Sequence, residues 1–63
     1  MNDESIVAIV VLEEVRDNVS SGKAPAFYVS NKKEQDRVAL LVSRIIKAMV
    51  HDLENGIYIL VRH

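Results

Sequence analysis

The chain has no cysteine, one proline, two glycines and three aromatic residues among its 63 amino acids. Without cysteine there is no disulfide framework, no thiolate nucleophile and no cysteine-built zinc site. The two histidines, His51 and His63, are too few and too isolated for a histidine-built metal cluster, so no cofactor is expected. The longest uninterrupted apolar run, Ile6 to Leu12, is seven residues, whereas a spanning helix needs about twenty. Asp3 and Glu4 precede that run where a signal peptide would carry positive charge, so the reading is a soluble, cytoplasmic protein with no membrane partner. No sign of charge dominates either. Eight Lys/Arg against nine Asp/Glu give a net charge of −1, which lacks the basic excess of a typical nucleic-acid binder.

What is present is apolar content, at 49%. A chain of this length forms a single domain, residues 1–63, and such domains bury only about 60% of their unfolded surface. Small domains usually add a disulfide, a metal or a partner. With the first two absent, a homodimer is expected.

Gly22, Pro25 and Gly56 divide the chain into an apolar N-terminal segment, a short aromatic run, a long amphipathic segment and an apolar tail. The amphipathic segment reads as a helix over residues 32–54. Asn31 stands at the N-cap with Glu34 in capping-box register, and Gly56 follows Asn55 where a left-handed helix end would fall. Val38, Leu41, Val42, Ile45, Ile46, Met49 and Leu53 share an arc of about 140°. Residues 26–29 and 57–61 read as strands, being short, β-branched or aromatic, and bounded by turn signals. If they are neighbours and parallel, their connection should be a right-handed crossover. Residues 4–20 carry competing signals. Five of the seven residues from Ile6 to Leu12 are β-branched, which favours a strand, yet the continuation through Glu13-Glu14-Val15-Arg16-Asp17 to Ser20-Ser21-Gly22 resembles a fading helix end. The balance favours helix. The fold expected is a small α/β (α+β) unit, helix-strand-helix-strand, with a two-stranded sheet completed by dimerisation through Ile6, Ile9, Val10, Ile57, Ile59 and Val61.

A second stripe on the long segment is the most organised feature of the surface. Lys33, Arg37, Leu40, Arg44, Lys47 and His51 would project within about 80° of one another on one helix, away from the apolar arc. Charge is also divided along the chain. Residues 1–22 hold five acidic groups and one basic, net −4, while residues 23–63 hold seven basic and four acidic, net +3. The stripe could be a solvated face, a dock for the acidic group Glu13, Glu14 and Asp17, or a partner site. Leu40 between Arg37 and Arg44 suits the centre of a protein contact with a charged rim. Tyr28 and Tyr58 beside it would suit base stacking in a nucleic-acid module.

Enzymatic readings are weaker. Ser21-Gly22-Lys23-Ala24 lacks the earlier glycine and the hydroxyl residue of a phosphate loop, since those positions are Asp17 and Ala24. His51 and Asp52, adjacent on a helix, would point about 100° apart and could not form the orienting pair of a triad. No small-molecule substrate is evident. The reading is a small, non-enzymatic regulatory or adaptor homodimer that binds another protein through the stripe, with nucleic-acid binding as the alternative. Light scattering at micromolar concentration is expected to give a mass above that of one chain.

Overall fold

The computed structural model describes residues 5–19 and 22–62. The expected helix end at Ser20 and Ser21, the acidic start at Asp3 and Glu4, and the terminal His63 lie outside the described residues. Strand β1 (Ser5–Leu12) leads through a 3₁₀ helix (Glu13–Asn18) to β2 (Ala26–Val29). Helix α1 (Lys32–Ile46), β3 (Met49–Asp52) and β4 (Ile57–Arg62) follow. The four strands form one sheet in the order β2-β1-β4-β3. β1 is parallel to β2 and antiparallel to β4, and β3 is antiparallel to β4. The domain is α+β, with one long helix on one face of the sheet.

Three expectations are corrected here. Residues 5–12 form a strand, not a helix. Ala8, Ile9, Val10 and Val11 are consecutive and all buried, because β1 is a central strand covered on both faces. A helix with the same residues would be apolar all round, and a chain this small has nothing to cover its outer side. The second correction is the length of α1. It ends at Ile46, and β3 occupies positions that the periodicity assigned to further helical turns. Asn55-Gly56 therefore closes a hairpin between β3 and β4, with Glu54 and Gly56 both at positive φ. Third, the sheet has four strands within one chain, and β1 separates β2 from β4, so the two expected strands are not neighbours. The four strands come from one chain, so the sheet does not need a second copy to complete it.

The start of α1 follows the sequence signal, with the Asn31 side chain accepting the Glu34 N–H at 2.8 Å. Its end depends on the tertiary structure. Lys47 takes a left-handed conformation (φ 57°, ψ 50°), and the Ala48 N–H reaches back to the Ser43 carbonyl at 2.9 Å. From β4, Arg62 donates to the Ile46 carbonyl through Nη2 at 2.8 Å and Nε at 3.2 Å, satisfying one of the carbonyls a helix end leaves open.

The core lies between α1 and the sheet, where Val10, Leu60, Tyr58, Ala8 and Val29 meet Ala39. Gln35 is the single buried polar residue among the described ones, 1% exposed. Its Nε2 donates to the Val10 carbonyl of β1 and to the Gly56 carbonyl leading into β4, both at 3.0 Å. A register shift between Ile6 and Ala8 makes Val7 the extra residue of a bulge. As a result Ala8 pairs with Leu60 on the helix side while Ile6 pairs with Val61 on the other.

Gln35→Leu removes the amide that two carbonyls share and is expected to destabilise the fold by about 1–3 kcal/mol in urea unfolding. Gly56→Ala would place a Cβ 3.0 Å from Val15 Cγ2 at φ +91°. It is expected to cost about 1–3 kcal/mol by the same measurement.

Candidate protein-binding surface

Helix α1 presents four distinct sides. Gln35 and Ala39 face the sheet and are buried, with Val38, Val42 and Ile46 half-buried beside them. The opposite side carries Lys33, Arg37, Leu40 and Arg44, all exposed and about 180° from the core on a helical projection. One flank carries Lys32 and Asp36, which reach Tyr58 on β4. The other flank carries Leu41 and Ile45. Because the Tyr58 contacts turn the first flank toward β4, Leu41 and Ile45 overhang the β2 side of the sheet, where Phe27 is also exposed. Ile45 is 78% exposed.

The predicted stripe is therefore shorter than its spacing implied. Lys33, Arg37, Leu40 and Arg44 share the outer face, whereas Lys47 is the left-handed residue past the helix end and His51 lies on edge strand β3. Of the stripe's cations, Arg37 pairs with Glu34 at 2.9 Å within the helix. The ion pairs Lys32–Asp36 and Arg37–Glu34 lie inside α1, and Glu13, Glu14 and Asp17 lie on the 3₁₀ helix, which packs against β1 and β2. Sequence periodicity missed Leu41 and Ile45 as surface residues. It assigned them to the core arc, and only the position of the sheet shows that the arc is wider than the surface it covers.

The residues expected at a dimer interface separate by face. Ile6, Ile9, Ile57, Ile59 and Val61 alternate onto the sheet face away from α1, where Ile6 is exposed, Ile57 and Ile59 are half-buried, and Ile9 and Val61 are buried; Val10 lies beneath α1, fully buried. On that face Ile6, Ile9, Ile57 and Ile59 line a cavity of about 380 Å³ together with Leu53 and Val19.

The Ser43 hydroxyl donates to the Leu40 carbonyl at 2.8 Å, and Asp52 Oδ1 accepts the Glu54 N–H at 2.7 Å. No group of three His, Asp or Glu side chains among the described residues could hold a metal ion. Among the described residues no helix is long and apolar enough to cross a membrane. The Tyr58 ring is buried and its hydroxyl is shared between Lys32 and Asp36, which removes it as a stacking platform. Tyr28 remains half-exposed, with the Arg16 guanidinium 4.9 Å from its ring centre.

A family model described as "Capping complex subunit for YIEGIA" matches residues 3–63. The chain belongs to this family. The match runs over both sheet edges and all of α1, so the whole domain is the family's unit. No curated protein and no solved structure matches the chain. A family of complex subunits directs attention to surfaces, and the apolar-basic outer side of α1 is one that the fold leaves uncovered.

The Lys32-Asp36-Tyr58 cluster fastens the first turns of α1 to β4. The Tyr58 hydroxyl donates to Asp36, and that bond, more than the nearby Lys32 ammonium, holds the Asp36 carboxyl below its usual 3.8. Accepting that proton, Asp36 raises Tyr58 above 10.0. The bond to Tyr58 raises Lys32 above 10.5. A lowered carboxyl stabilises above its ordinary value and loses that contribution as pH falls below 3.8. The raised Tyr58 and Lys32 stabilise below their ordinary values and lose that contribution as pH rises past 10.0 and 10.5. Tyr58→Phe is therefore expected to lower the melting temperature across the window between these limits. The difference from wild type should shrink at both ends in melts recorded from pH 3 to 11.

Proposed function

We propose that this protein is a non-catalytic subunit of a capping complex for YIEGIA, and that it binds its protein partner through the outer side of α1. The carrying observation is Ile45, 78% exposed in the last turn of a well-capped helix, with the exposed Leu40 and Leu41 on the turn before it. These three large apolar side chains lie in contiguous turns and outside the core cluster. Lys33, Arg37 and Arg44 border them, which reproduces the apolar centre and charged rim of a protein interface. Membership of a family described as complex subunits supports the same reading. The cationic rim suits an acidic patch on the partner. Such a rim steers association and sets register more than it adds affinity.

Co-purification of the chain with a YIEGIA protein encoded in the same genome tests the proposal. Ile45→Asp places a charge at the apolar centre and is expected to weaken the complex by about tenfold or more, while Arg44→Glu acts more mildly and in a salt-dependent way. Both positions are exposed, so circular dichroism should show the fold retained. Wild-type binding by both variants would refute the helix face, and failure of the wild-type chain to co-purify would refute the complex. Steeply salt-dependent binding to oligonucleotides, lost in an Arg37→Ala, Arg44→Ala double variant, would favour a nucleic-acid module instead.

A further inference from the structure

Strand β3 is the sheet's free edge. The other edge strand, β2, has the 3₁₀ helix packed against it, and Arg16 lies over Tyr28 there. All four residues of β3 are exposed, Met49 at 58%. The strand is short, four residues, and carries Asp52, but it has no proline, bulge or lysine within it. Asp52, the strand's one charged residue apart from the titratable His51, has its side chain folded back onto the Glu54 N–H.

The register identifies which backbone groups point outward. Leu53 N–H donates to the Ile57 carbonyl at 3.0 Å, and the pairing continues as His51 with Ile59 and Met49 with Val61. Hydrogen-bonded and non-bonded pairs alternate along an antiparallel ladder. Met49 and His51 therefore turn their N–H and C=O groups toward β4, and Val50 and Asp52 turn theirs toward the empty edge.

We propose that the occupant of this edge is β3 of a second copy of the chain, antiparallel and centred on His51. In that register each Val50 faces the Asp52 of the other copy, and the outward N–H and C=O groups of both residues are all satisfied, giving four backbone hydrogen bonds. On the sheet face away from α1, where Leu53 lines the cavity with Ile57 and Ile59, each exposed Met49 meets the exposed Leu53 of the other copy. Charge is complementary across the seam. The antiparallel arrangement brings Lys47, ahead of one β3, beside the Asp52-Glu54 end of the other, so opposite signs meet at both ends. The product is a continuous eight-stranded sheet with both helices on one side, leaving the outer side of α1 free. It does not depend on what α1 binds. A seam this short buries less than the roughly 1,200 Å² of a standard interface, so the dimer forms in a concentration-dependent way.

The chain lacks cysteine, which makes cross-linking a direct test on the full-length protein. Directly opposed residues of a non-hydrogen-bonded antiparallel pair have Cα atoms about 4.5 Å apart, within disulfide reach. His51→Cys is therefore expected to give a reducible disulfide-linked dimer under mild oxidation, and Val50→Cys, on the other sheet face and paired with Asp52, only a minor fraction. Val50→Pro removes an outward N–H without touching the ladder to β4. It is expected to weaken self-association about tenfold or more by sedimentation. Circular dichroism checks its fold, and the cysteine variants carry the test if it unfolds. A wild-type mass of one chain at about 100 μM, cross-linking through position 50 in preference to 51, or linkage of position 51 only to a different protein would each overturn the proposal.

Discussion

The buried amide of Gln35 sets the position of everything else in this domain. A carboxamide almost entirely removed from water is tolerated only if its donors are used. Here both go to carbonyls at the junction of the two central strands, one from β1 and one from the entry to β4. The helix is thereby held over that junction at one azimuth and one height. Gly56 is part of the same constraint, because its carbonyl also accepts the Leu12 N–H at 2.9 Å and its missing Cβ leaves room for Val15.

Once the azimuth is set, the distribution of the other helix residues follows. The flank toward β4 places Lys32 and Asp36 on the Tyr58 hydroxyl, and the opposite flank overhangs β2 with more apolar surface than the sheet beneath can cover. An apolar arc wider than its seat serves as core on one side and as surface on the other. The helix end is held by contacts from outside the helix, with Arg62 of β4 on the Ile46 carbonyl and the chain turning at Lys47 directly into the free edge strand. The two surfaces proposed to act in assembly, the outer side of α1 and the edge of β3, therefore point in different directions and can be occupied together.

Parts of this arrangement were legible beforehand. The Asn31 cap, the amphipathic start of α1, the aromatic strand after Pro25 and the C-terminal strand all carry local signals that tertiary contacts did not override. Segments with two valid local readings were not legible. Met49 and Leu53 continue a helical arc and also alternate as strand residues, and Asn55-Gly56 ends a helix or closes a hairpin equally well. The β-branched run of β1 was opposed by the helix-like stretch after it, and that stretch proved to be a separate 3₁₀ helix with a kink at Val15. The basic stripe was drawn through those ambiguous residues, so its last two members moved off the helix when the segment was divided.

By itself the sequence determined that the domain is small, without disulfide or thiol chemistry, built from a capped helix and apolar strands, and uneven in charge along its length. These follow from composition and local periodicity, which depend only on neighbours within a turn or two. The tertiary structure alone decided where α1 stops, that β1 is a central strand beside β4, and which apolar residues remain outside. Those outcomes depend on non-local partners: a carbonyl from a distant strand for Gln35, a guanidinium from the chain's end for Ile46, and a sheet wide enough to bury β1 but too narrow to cover Leu41 and Ile45.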